Sequence, residues 1–194
     1  MKTARWLLLI LAWLAAPVPA ADPLPPDSVY RLAMPLVRQD GTAAGLDLAR
    51  GSPVLISLFY ASCPHACPLL INTVQRLEKT LPPESRHRLK ILLVSIDPDS
   101  DTPEKLAELV QRHKVDPARW TFARASAGDV RKLAAVLGIR YRELPDGEFN
   151  HSTVVSLLDG SGRIVQQTAE MMTLEESFIA TLRSQVAGPQ AASK

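Results

Sequence analysis

The 194-residue chain carries 22 Lys/Arg against 20 Asp/Glu, a formal net charge of +2, and 46% hydrophobic residues. Charges of both signs are interspersed without a Lys/Arg-rich run, and three tryptophans among few aromatics offer no base-stacking platform, so nucleic acid is not an expected partner. The length fits one domain with one core.

In chain order, Lys2 and Arg5 form a short basic start, residues 6–16 are unbroken apolar, and Pro17-Val18-Pro19-Ala20-Ala21 follows. This is the layout of a signal peptide over residues 1–20, cleaved near Ala20 or Ala21. The apolar stretch is shorter than the roughly 20 residues that span a bilayer. The alternative is an uncleaved anchor in the inner membrane, its apolar segment running on to Val18. No cysteine follows the stretch, so a lipid anchor is not indicated.

Residues 21–27 are Pro-rich and read as an extended linker. Residues 28–37 are expected to form a first strand, ending at a turn on Gln39-Asp40-Gly41. Residues 54–60 and 91–96 are continuous apolar runs of the kind found in buried strands. Between them Leu70, Val74 and Leu77 recur at helical spacing. Thr102-Pro103-Glu104 starts a helix with a cap, a proline at the first position and an acid in the first turn. Leu106, Leu109 and Val110 continue it.

A short strand is expected at 120–123 and a helix at 129–137 closed by Gly138. A hairpin is expected from 154–158 and 163–167 around Asp159-Gly160-Ser161-Gly162, then a helix at 174–186. The order is that of an α/β layered domain, 28–187, followed by a tail, 188–194. A thioredoxin-like fold, with a central mixed sheet flanked by helices, fits this order.

Chemistry concentrates in Cys63-Pro64-His65-Ala66-Cys67-Pro68, between a buried strand and a helix. Strand ends in open α/β sheets are where ligands bind. Cys67 falls at the helix N-terminus, where the positive end of the dipole favours thiolate. These are the only cysteines. After export they could form a disulfide, but so short a loop contributes only about 2 kcal/mol, which disfavours a purely structural staple.

Residues four apart share a helix face, so two thiolates so placed can pinch one soft ion. Thiolates select Cu(I) and imidazole also accepts Cu(II), so one added histidine gives a site for either state. Zinc, with two cysteines plus His65 and His151, is the alternative four-ligand reading. Spacing does not settle which histidine completes a copper site. His87 reads as surface, and His113 as packing or surface on a crossover helix. His65 is close by necessity, and His151 precedes an apolar strand that can approach the cysteine loop.

Residues 59–68 resemble the C-x-x-x-C-P motif of the Sco/SenC family. Val94-Ser95-Ile96-Asp97-Pro98, Asp101-Thr102-Pro103-Glu104 and Asn150-His151-Ser152 match further family segments in order. The resemblance implies a thioredoxin-like fold and a copper site at Cys63, Cys67 and His151; His65, by its place inside the cysteine loop, is a candidate modulator of copper exchange. The resemblance also implies a role in assembling the binuclear copper centre of cytochrome c oxidase, whose copper-binding subunit would be the partner, together with periplasmic thiol reductants and other copper chaperones. The chain departs from the family pattern at His65, where many relatives have an acid, and at Asn150, where an aspartate is usual.

The rival reading is an enzyme, a periplasmic thiol-disulfide oxidoreductase acting through Cys63 and Cys67. Against it, no proline lies between Asp146 and Ala187, where thioredoxin-type enzymes place one facing the cysteines.

Overall fold

A computed structural model describes residues 23–63 and 66–188, with Ala66 and Cys67 described by their backbone. The leader, residues 21–22 of the linker, His65 and tail residues 189–194 lie outside the described residues.

The sheet contains β1 (Pro35–Arg38), β2 (Ala43–Gly45), β3 (Val54–Phe59), β4 (Lys90–Ser95), β5 (Trp120–Arg124), β8 (Val155–Leu158) and β9 (Ile164–Thr168). Their spatial order is β2-β1-β5-β4-β3-β8-β9. β3, β4 and β5 are parallel neighbours, and the outer pairs are antiparallel. A separate two-stranded ribbon joins β6 (Tyr141–Glu143) to β7 (Phe149–His151).

The helices are α1 (Ala66–Lys79), α2 (Pro103–His113), α3 (Ala127–Leu137) and α4 (Glu176–Ala187). α1 crosses from β3 to β4 and α2 from β4 to β5, as parallel neighbours require. No helix among the described residues is long and apolar enough to cross a membrane.

All six residues of β3 are buried, because the strand has a neighbour on each side and a continuous apolar run. The helices present the periodic residues to this core. Leu70, Val74 and Leu77 of α1, Leu106 and Leu109 of α2, and Leu133 and Leu137 of α3 are all buried. The caps are local. Thr102 Oγ1 accepts from the Lys105 amide, and Gly138 ends α3 at φ 69°.

Two expectations are corrected. Residues 28–37 do not form one strand: the Ser28 hydroxyl accepts from the Tyr30 amide and starts a 3-10 turn at Val29–Arg31, so β1 begins only at Pro35. That turn is bound to the β8–β9 connection. The Val29 amide donates to the Gly162 carbonyl at 2.8 Å, and the Ser28 hydroxyl to the Ser161 carbonyl at 2.7 Å. Gly162 sits at φ 85°, and a Cβ there would stand 2.5 Å from the Tyr30 ring. Secondly, α3 begins two residues earlier than expected, because Ser126 rather than a later residue is its cap.

Candidate metal centre

β3 carries the chain to the C-terminal edge of the sheet, and Tyr60-Ala61-Ser62-Cys63 turns off it toward α1. The Cys63 amide donates to the Tyr60 carbonyl at 3.3 Å, closing that turn. A second anchor comes from Asp101, which is 1% exposed. One of its carboxylate oxygens accepts from the Ala61 amide at 2.9 Å and from the Ser95 hydroxyl at 2.6 Å. Ser95 is the last residue of β4, so Asp101 ties the start of the cysteine loop to the neighbouring strand. Burial pushes the Asp101 carboxyl above the usual range, against the opposing pull of these two bonds.

Cys63 is buried at 8% exposure and its side chain is hydrogen-bonded with Tyr60. It borders a cleft of about 460 Å³ lined also by Ser62, Pro68, Lys105 and Leu109. A larger cavity, about 840 Å³ between Gly51, His87, Lys90 and Gly160, lies at the other end of the parallel strands and is lined by no cysteine. Exposed His87 belongs there. His113 is half-buried at the end of α2, its carbonyl accepting from Gln75 Nε2 at 2.9 Å.

His151 is the last residue of β7, not part of the strand that follows it. Ser152 closes the base of the ribbon: its amide donates to the Arg140 carbonyl at 2.8 Å and its hydroxyl accepts from the Arg140 amide at 3.0 Å. The His151 ring stands against Tyr60, centroids 5.7 Å apart. Its Nδ1 lies 3.3 Å from the Ser152 carbonyl oxygen. A carbonyl only accepts, so this contact keeps the imidazole proton on Nδ1 and leaves the lone pair on Nε2. Among the described residues, that Nε2 is buried without a hydrogen-bond partner. Burial holds the imidazole below its ordinary pKa, partly countered by the Ser152 contact, so the ring is neutral at pH 7. A neutral ring with an orphaned nitrogen is the form that ligates a metal.

The structure thus brings Cys63 and His151 to one tyrosine. Cys67 follows as the second residue of α1, and His65 lies outside the described residues. Among the described residues no three of His, Cys, Asp and Glu form a metal-holding group. Asn150, in the place where an orienting carboxylate is usual, is exposed, and the histidine takes its orienting contact from the Ser152 main chain instead. Tyr60 and Asp101 are the residues that sequence reasoning quoted without a role.

The SCO1/SenC family model matches residues 28–187. An SCO2-like protein of Rickettsia prowazekii is 28% identical over 138 residues, 68% of this chain and 65% of the relative. A Stutzerimonas stutzeri protein is 24% identical, and the match covers 56% of its length. The chain therefore spans less than two thirds of these two curated relatives. Among solved structures, copper-bound ScoI of Bradyrhizobium japonicum superposes with a TM-score of 0.66 at 22% identity, covering 78% of this chain and 96% of that one. BsSco, described with a disulfide switch and as a member of the Sco family of cytochrome c oxidase assembly proteins, gives 0.66 at 19% identity, covering 79% and 91%. These likenesses show the fold, which is thioredoxin-like.

Proposed function

The chain belongs to the SCO1/SenC family, and on that premise we propose that it is a copper-binding protein of the metallochaperone kind. In this reading Cys63, Cys67 and His151 hold one copper ion, and His65 modulates its exchange. The observation that carries the reading is the buried, unpartnered Nε2 of a neutral His151, on a ring that touches the same tyrosine as Cys63. The donor set fits the ion: thiolates suit Cu(I), and an imidazole adds a ligand acceptable to Cu(II). Both thiols must be deprotonated and reduced to bind, so metal affinity and redox state are coupled.

The recipient in this reading is the copper-binding subunit of cytochrome c oxidase, and the protein works in the periplasm after residues 1–20 are removed. Residues 21–27 then link to the copper-binding domain 28–187, and 188–194 form its tail. The names of related proteins support the copper and oxidase elements, and the sequence of residues 1–21 supports export.

Anaerobic copper titration of the reduced protein tests the reading. One copper per chain is expected, abolished as tight binding by Cys63→Ser or Cys67→Ser. Transfer to an isolated apo binuclear-copper domain is expected to need His151. Metal-free reduction of that domain's disulfide with turnover, unaffected by His151→Ala and without copper transfer, would establish the oxidoreductase instead. An intact Met1 in the membrane fraction, by mass spectrometry, would refute leader cleavage.

A further inference from the structure

The β6–β7 ribbon stands outside the main sheet, with three residues in each strand and side chains exposed or half-buried. An isolated two-stranded ribbon is marginally stable in water. Its base is closed by Ser152 and Arg140, and its tip by the Leu144 amide donating to the Glu148 carbonyl at 2.7 Å. These bonds give the ribbon its shape. They do not fix how it leans on the cysteine loop, which decides where His151 stands.

Tyr60 supplies that fixed point. It follows β3, the fully buried strand with a neighbour on each side, and is itself 3% exposed. Three successive parts of the ribbon rest on it. Its hydroxyl donates to Glu148 Oε2 at 2.8 Å, its ring lies 5.3 Å from that of Phe149, and the His151 ring meets it edge-on at 78°. The same side chain is hydrogen-bonded with Cys63, three residues on. One rigid residue therefore touches the beginning of the cysteine motif and the end of β7.

We infer that Tyr60, acting through its hydrogen bond to Glu148, is a positioning residue that holds the His151 imidazole at the distance from Cys63 needed for a shared copper ion. The inference rests on the copper reading of the site. The hydroxyl is what distinguishes this residue from phenylalanine: without it the ring contacts persist, but the Glu148 carboxylate loses its donor and the hydrogen bond with Cys63 is lost as well. Two thiolates alone hold Cu(I), whereas Cu(II) draws on the imidazole. Loss of positioning is therefore felt selectively by Cu(II).

The experiment compares the full chain with Tyr60→Phe, Glu148→Ala and Glu148→Gln in two arms. In the metal-free arm, amide hydrogen exchange is followed in the β6–β7 ribbon and in β3 and β4. Tyr60→Phe and Glu148→Ala are expected to speed exchange in the ribbon about 10-fold while β3 and β4 keep their protection. Glu148→Gln, whose amide oxygen still accepts from the tyrosine, is expected to restore most of it. In the copper arm, the first two variants are expected to weaken Cu(II) about 10-fold and shift its absorption and electron paramagnetic resonance spectra, with Cu(I) affinity unchanged in Glu148→Ala, which keeps the contact between Tyr60 and Cys63.

Parent-like exchange and parent-like Cu(II) spectra in Tyr60→Phe would overturn the inference. Equal losses of Cu(I) and Cu(II), with exchange raised throughout the sheet, would also overturn it by assigning Tyr60 to general stability. A parent that takes up no copper overturns the copper reading and with it the purpose assigned here, and the exchange arm then decides by itself whether Tyr60 holds the ribbon.

Discussion

The imidazole of His151 meets the ring of Tyr60 edge-on, with centroids 5.7 Å apart and planes at 78°. The histidine's far nitrogen is buried, and burial lowers its proton affinity. Removing this ring should cost Cu(II) more than the 10- to 100-fold typical of losing an outer partner. Cu(I), held by two thiolates, should change little. Because burial holds the imidazole pKa below its ordinary value, a proton competes at that nitrogen only on the acid side of neutrality. The ratio of Cu(II) affinities between parent and His151→Ala is therefore expected to shrink as the solution is acidified from neutral pH. Competition titrations across that range check both the size and the pH profile.

Asp101 makes a separable prediction about stability. Its folded pKa is raised above the ordinary 3.8, so on raising the pH the unfolded chain ionises first and stability falls between the two values. Below 3.8 the carboxyl is protonated in both states and the penalty is absent. Asp101→Asn keeps an oxygen able to accept from both Ala61 and Ser95, and should flatten this part of the pH–stability curve. Asp101→Ala strands a part-buried amide and a buried hydroxyl and should cost about 2–4 kcal/mol. Urea unfolding of both variants at several pH values is the measurement.

Glu78 offers a control away from the site. Its two carboxylate oxygens receive Arg119 and, at 3.3 Å, the Trp120 indole, tying the end of α1 to the start of β5. Glu78→Ala leaves a part-buried guanidinium and a buried indole without this acceptor, and should cost about 3–5 kcal/mol. Copper stoichiometry should not change. A thermal scan paired with a copper titration distinguishes this from damage to the metal centre.

Gly162→Ala tests the clamp on the N-terminal turn. The new Cβ would collide with Ser28 and the Tyr30 ring, at a backbone angle that L-residues rarely adopt. A loss of about 1–3 kcal/mol is expected, together with faster proteolysis at residues 28–31. Limited digestion followed by mass spectrometry locates the cut.

What the sequence disclosed follows from local physics. The runs at 54–60 and 91–96 were legible as strands because burial on both faces leaves no polar alternation. The starts and stops at Thr102 and Gly138 were legible because capping uses neighbouring residues. The β6–β7 ribbon was not legible: Tyr-Arg-Glu and Phe-Asn-His are too short for a period, and its closure runs from Arg140 to Ser152. Asp101 stood in a recognisable motif, but its bond to Ala61 spans 40 residues and no spacing announces it. Tyr60 read as the last apolar member of a strand, whereas β3 ends at Phe59 and the tyrosine turns its hydroxyl to Glu148, 88 residues away.

The bond between Val29 and Gly162 also fixes the end of the domain at which residue 28 enters it. β8 runs antiparallel to β3, with Leu158 opposite Val54, so the β8–β9 turn and the segment clamped to it lie at the starting end of β3. Cys63 lies beyond its other end, and six residues of strand separate the two by about 20 Å. The chain therefore enters the domain at the pole opposite Cys63, and the clamp on Val29 and the cysteine loop can be perturbed independently of each other.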